Sequence, residues 1–155
     1  MSRTLRLAAC QYPIEPVPSM AHWRKKIGAW TRSAVDRGAE LLVYPEYASM
    51  ELTAVLPEDE QATLGSQLAG MQRLRAEYVE TFAALATLHR VTIVAGSFPE
   101  LDDDGLVRNR ARVFAPNAQG SQVKLQMTRF EAEQWGVVAG QGQALFVTPS
   151  LRFGV

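Results

Sequence analysis

Four consecutive apolar residues, Leu41-Leu42-Val43-Tyr44, stand between a helical stripe and Pro45, and they constrain the fold more than any other feature of this sequence. A run that short and without polar alternation reads as a strand covered on both faces, the mark of an α/β layer. The stripe before it consists of Met20, Trp23, Ile27, Trp30 and Ala34, spaced by three or four, with Ser19 as N-cap and Gly38 as C-terminal stop. A second stripe, Leu64, Leu68, Met71, Leu74, Tyr78, Phe82, Leu85 and Leu88, predicts one helix of about six turns ending near His89-Arg90. Val91 to Ala95 follows as another buried strand. Leu5 to Tyr12 alternates as the first strand, until the proline-rich run from Pro13 to Pro18 stops it.

Beyond Ala95 the signals are those of hairpins. Asp102-Asp103-Asp104-Gly105 is a turn joining Phe98–Leu101 to Leu106–Ala115, and Asn117-Ala118-Gln119-Gly120 is a second turn, after which Gln122 to Leu125 pairs back. Gln126 to Gly142 has no sustained period and reads as a long loop. Gln143 to Thr148 and Leu151 to Val155 read as two strands about Pro149-Ser150. The order β-α-β-α-β followed by hairpins implies an α/β sandwich with a mixed sheet.

At 155 residues, with no internal repeat, the chain is one domain able to bury a core without disulfides, and its single Cys could not form one internally. Sixteen basic against sixteen acidic residues remove the long-range field that draws a protein to nucleic acid or to an anionic membrane. No apolar stretch approaches a membrane span, and the N-terminus lacks a signal-peptide core, so a cytoplasmic protein is expected. The three aspartates lack the spacing of a calcium loop, and His22 and His89 lack that of a zinc site, so no metal is expected.

Chemistry is most legible in Gly38-Ala39-Glu40-Leu41-Leu42-Val43-Tyr44-Pro45-Glu46. It sets a carboxylate just past the C-terminal end of a buried strand, where the loops of α/β proteins converge on a crevice. Glu46 is therefore either a general base or a surface-loop glutamate. Lys124, at the end of a predicted strand, has Glu131 seven residues on; an ammonium held between carboxylates can stabilise an oxyanion, whereas a lone strand lysine is a solvated edge charge. Tyr47 either lines a pocket or packs in the core.

Together these two segments resemble the nitrilase, or carbon–nitrogen hydrolase, superfamily. In that family a Glu follows a strand in a pattern like G-A-x-L-x-x-x-P-E, and a Lys lies in a pattern like K-L-x-x-x-x-x-E. Leu5 to Gln11 is similar to the family's first strand, Thr92 to Ser97 to its third, and Arg108-Asn109 before Val113-Phe114 to the start of the next. The resemblance runs from about residue 5 to residue 155 and implies a Glu–Lys–Cys triad on an αββα sandwich, here its N-terminal part with a mixed sheet. It implies hydrolysis of a small amide, nitrile or carbamoyl compound, with amide the default. Glu46 matches the general base, Lys124 the oxyanion-stabilising lysine, and Glu131 the further glutamate that orients substrate or lysine. No cofactor is implied, and a homo-oligomer is expected of the complete protein.

The family's nucleophilic Cys follows a strand resembling R-x-G-V-x-x-C, and Arg152-Phe153-Gly154-Val155 supplies that strand and stops. By that pattern the Cys falls about three positions beyond Val155, so residues 1–155 are expected to be part of a larger enzyme and inactive alone. Cys10, inside the first strand, is read as packed and inert. The segment from Ala48 to Glu60 is expected to shape one pocket wall. The alternative from another class is a noncatalytic binding or assembly module that keeps the fold without the thiol; a nucleotide-binding domain is a third reading.

Overall fold

The structure is a computed structural model that describes residues 4–148 and 151–155. In chain order the regular elements are β1 (Leu7–Ala9), α1 (Met20–Asp36), β2 (Leu41–Val43), a 3₁₀ segment (Ala48–Val55), α2 (Glu58–Gln61), α3 (Leu64–Met71), α4 (Arg75–His89), β3 (Thr92–Leu101), β4 (Val107–Ala115), β5 (Ala118–Val123), α5 (Arg129–Glu133), β6 (Phe146–Val147) and β7 (Arg152–Phe153). The main sheet has the order β1-β2-β3-β4-β5. Its first three strands are parallel, because helices return the chain between them, and its last two are antiparallel, because tight turns do. The expected α/β class with a mixed sheet is what the chain forms.

Side-chain alternation sorts the sheet into two faces. Leu42, Tyr44, Ile93, Ala95, Phe98 and Phe114 point toward α1 and α4 and join Trp23, Ile27, Tyr78 and Phe82 in the main core. That core is largely aromatic: the Tyr44 and Phe82 ring centroids are 5.2 Å apart, and those of Trp23 and Tyr78 5.6 Å. The polar tips are satisfied, as the Thr31 hydroxyl lies 2.8 Å from that of Tyr44. Truncating a fully buried ring such as Phe82 would cost about 3–5 kcal/mol. On the opposite face Leu41, Val94 and Val113 are covered by Phe146, Leu151 and Phe153 of the β6–β7 hairpin. The turn expected at Pro149-Ser150 lies outside the described residues.

The termini of α1 are those expected. Ser19 Oγ accepts from the His22 N–H at 3.1 Å, and Gly38 takes φ +80° past the last turn.

The second stripe is not one helix. A 3₁₀ turn at Gln72–Leu74 divides it into α3 and α4. Gln72 explains the break: its amide donates to Leu68 O at 2.8 Å and Pro99 O at 2.9 Å, while its Oε1 accepts from the Leu101 N–H at 3.0 Å. The turn is thus fastened to the end of β3. The buried line of α4 becomes Tyr78, Phe82 and Ala86, and Leu88 is left 72% exposed.

Two further expectations shift. Val91–Ala95 and Phe98–Leu101 are one strand, β3, with a bulge between Val94 and Ser97 where Gly96 takes φ +71°. The β4–β5 reversal falls on Pro116-Asn117, pairing Ala115 with Ala118, so Ala118 to Gly120 are strand and not turn. The long loop from Gln126 to Gly142 holds α5, after which the Val138 N–H returns to Val107 O at 3.0 Å. Among the described residues no helix is long and apolar enough to cross a membrane.

Candidate active site

Glu46 stands three residues beyond β2, on a loop locked to the β3 bulge. The Tyr44 N–H donates to Val94 O at 2.9 Å, and the chain then passes so close to Gly96 that a Cβ there would lie 2.3 Å from Pro45 O. Glycine is required on both counts, its positive φ and this close approach. Tyr47 takes the left-handed conformation, φ +56°, uncommon for a bulky residue. Two bonds hold it there: its N–H donates to Ser97 Oγ at 2.9 Å, and Ser49 Oγ donates to Ser97 O at 2.8 Å. Such local strain persists only where the surroundings over-determine it, and it clusters at functional sites.

Lys124 follows β5 directly. Its N–H donates to Asn109 O and its carbonyl accepts from the Gly140 N–H, both at 2.9 Å, so its backbone is clamped on two sides. Glu131 arrives on α5 through a capping box with Thr128. The Thr128 N–H and hydroxyl each donate to Glu131 Oε2 at 2.8 Å, while Thr128 Oγ1 accepts from the Glu131 N–H at 3.2 Å.

These elements bring the three predicted side chains together on one ammonium. Lys124 Nζ donates to Glu46 Oε1 at 2.8 Å, and to Glu131 Oε1 and Oε2 at 3.0 and 2.8 Å. Their environments differ: the Glu131 side chain is 5% exposed, that of Lys124 26%, and that of Glu46 52%. Burial pushes the Glu131 carboxyl up, but Lys124, Tyr47 and Thr128 outweigh it and hold the group down at about 2. Burial works against the Lys124 ammonium, and the bonds to Glu131 and Glu46 overcome this and raise it above the usual lysine range. The Tyr47 hydroxyl donates to Glu131 Oε1 at 2.7 Å, and burial together with that carboxylate pushes it well above the phenol range. The cluster therefore carries one cation between two anions, with its exposed member, Glu46, facing a cleft of about 510 Å³ floored by Val43, Val94 and Ala111.

Two participants had only weak sequence signals. Asn109, 1% exposed, donates through Nδ2 to Glu46 Oε1 at 2.6 Å. Tyr47 is half-buried and belongs neither to the cleft lining nor to the main core: its hydroxyl is turned onto Glu131, and its ring packs on the half-buried Trp135 at 5.1 Å. The spacing Thr128-x-x-Glu131 is itself a capping-box signature and could have placed Glu131 at a helix start. The segment from Ala48 to Glu60 turns inward, burying Ala48, Ser49, Glu51 and Leu52, and lines none of the cleft. Cys10 is half-buried in the β1 region, and burial pushes its thiol up to about 11.

Fold and cluster together define a layered α/β protein with an acid–ammonium site at the mouth of its parallel strands. The profile of the carbon–nitrogen hydrolase family matches residues 6–155, and the chain belongs to that family. Solved structures share the fold. An amidase from Nesterenkonia sp. AN1, a Glu-to-Gln mutant with acrylamide added at its active-site cysteine, superposes with a TM-score of 0.72 at 17% identity, over 97% of this chain and 56% of that one. A CN-hydrolase superfamily protein of Xanthomonas campestris, with an arsenic adduct in its active site, gives 0.74 at 18% identity, over 99% of this chain and 52% of that one. The glutamine-dependent NAD+ synthetase of Acinetobacter baumannii gives 0.69 at 18%, over 99% of this chain but 27% of that one. The chain thus spans about half the length of the first two and about a quarter of the third. No curated protein sequence matches it significantly.

Proposed function

We propose that residues 1–155 are the acid–base and oxyanion part of a carbon–nitrogen hydrolase acting on a small amide, with nitriles and carbamoyl compounds as the neighbouring substrate classes. The nucleophilic thiol is supplied by a Cys about three positions beyond Val155. The observation that carries this reading is the convergence on Lys124 Nζ of Glu46 and Glu131, each at 2.8 Å. An ammonium braced by a buried carboxylate on one side and touching an exposed one on the other suits a base next to an oxyanion partner.

In this reading Glu46 takes the thiol proton, and the resulting thiolate attacks the substrate carbon. Lys124 stabilises the charge that builds on the carbonyl oxygen or nitrile nitrogen. Glu131 keeps Lys124 charged and aimed. With an amide the nitrogen leaves as ammonia or amine after accepting the proton from Glu46, and water, activated by the same carboxylate, hydrolyses the thioester; a nitrile first gives a thioimidate, to which one further water adds before ammonia leaves and the thioester forms. The complete protein is proposed to form a homo-oligomer.

The test is ammonia release from small amides by the chain extended through that Cys. Glu46→Gln and Lys124→Ala are each expected to lower kcat by about 10²–10⁴-fold. Near-normal turnover in either variant removes that residue from the site. A coding sequence without a Cys at that place, or an inactive complete chain, would favour the noncatalytic binding or assembly module instead.

A further inference from the structure

Asn109 sits within β4 opposite Pro99 of β3 and is almost wholly buried. Its Nδ2 donates to Glu46 Oε1 at 2.6 Å and to Glu131 Oε1 at 3.4 Å, while its Oδ1 is buried without a hydrogen-bond partner among the described residues. The direction of the amide is dictated by its neighbours, because the opposite orientation would aim a carbonyl oxygen at two carboxylates. An orphaned acceptor is a cost to the fold that an apolar residue would avoid. What offsets that cost is the donor side of the amide, which reaches two carboxylates of the site. The main chain of the same residue also accepts the Lys124 N–H at 2.9 Å, so one position of β4 holds both members of the pair.

The two oxygens of Glu46 are consequently unequal. Oε1 accepts from Lys124 at 2.8 Å and from Asn109 at 2.6 Å, whereas Oε2 has no hydrogen bond among the described residues. An oxygen that already holds two donors, one of them charged, is the poorer proton acceptor. A lysine ammonium, a point charge on a flexible stem, does not fix the rotation of a carboxylate, but a planar amide anchored in a buried strand does.

We infer that Asn109 is a positioning residue that pins Oε1 of Glu46 and so assigns the proton transfer to Oε2. This rests on Glu46 being the base. The thiol proton passes to Oε2, the electron pair of the S–H bond stays on sulfur, and Oε1 remains tied to Asn109 while Lys124 turns toward the oxyanion.

Two variants of the complete, Cys-containing chain test this. Asn109→Leu removes the amide at similar volume; kcat is expected to fall about 10²-fold, as for a misplaced catalytic group, with KM little changed. Asn109→Asp keeps the shape, so a folding failure of the first variant does not decide the matter. The introduced carboxyl faces Glu46 from the β2 loop and Glu131 from α5, with Lys124 beyond β5 and the Tyr47 hydroxyl of the β2 loop bound to the same Glu131 oxygen. Ionised it repels both carboxylates, and protonated it replaces the N–H donor by an O–H donor. Its deficit relative to wild type should therefore shrink about tenfold or more as the pH is lowered from about 8 to about 5. Parallel pH profiles for wild type and Asn109→Asp, or Asn109→Leu turnover within about threefold of wild type, would overturn the role of Asn109 while leaving the hydrolase intact. An inactive wild-type complete chain would instead sink the reading of Glu46 as base, and the proton assignment with it.

Discussion

Replacing Glu131 by Gln isolates a charge buried among donors. The carboxylate receives Lys124, Tyr47 and both donors of Thr128, and it is held at about 2 where a free glutamate titrates at 4.5. At 1.36 kcal/mol per pH unit that difference corresponds to roughly 3 kcal/mol of stability. Because the folded carboxyl is more acidic than the unfolded one, this stability is complete above the unfolded value and is lost as the pH falls from there through about 2. Glutamine is uncharged throughout and can still serve at the N3 position of the capping box. We therefore expect Glu131→Gln to lose about 2–3 kcal/mol at neutral pH, a drop of roughly 5–10 °C in melting temperature for a chain of this size. Melts followed by circular dichroism at pH 7 and about pH 3 would show the gap closing on acidification. A gap that is equal at both pH values, or absent at neutral pH, would refute the electrostatic account of this residue.

Other perturbations probe the surroundings. Cys10, with its thiol pushed up to about 11, should react with iodoacetamide at neutral pH roughly 10²-fold more slowly than a free thiol; a rate near that of glutathione would contradict this. Gly96→Ala places a methyl 2.3 Å from Pro45 O at a positive φ and should cost about 2–4 kcal/mol in urea unfolding. A loss below about 0.5 kcal/mol would mean that the loop carrying Glu46 is not locked to the bulge. Tyr47→Phe removes one charge-assisted bond from Glu131 and should cost about 1–2 kcal/mol, which the same melts would detect or exclude.

The elements that sequence alone made legible are those with local causes. The buried run Leu41–Tyr44 announces a strand and Pro45-Glu46 its end; Ser19 and Gly38 delimit α1; Lys124 and Glu131 are visible through their spacing. What it concealed depends on distant partners. The break at Gln72 leaves the spacing of three and four uninterrupted, and its cause lies in the backbone of Pro99 and Leu101. The bulge at Gly96 answers to Pro45. Asn117 to Gly120 has the composition of a turn, yet the register of β4 with β5 places the reversal two residues earlier. Asn109 reaches a partner 63 positions away, and no local pattern reports which way a buried strand amide will aim.

The ion cluster also sets a schedule for biosynthesis. Glu46 leaves the ribosome long before Lys124, 78 positions later, and Glu131 later still. Until the β4–β5 hairpin docks, the earlier carboxylate has no counter-ion and the loop bearing it has no anchor beyond β3. Assembly of the cluster therefore reports completion of the sheet, a non-local and correspondingly slow event. A nascent chain halted before residue 124 would carry the acid without its partner.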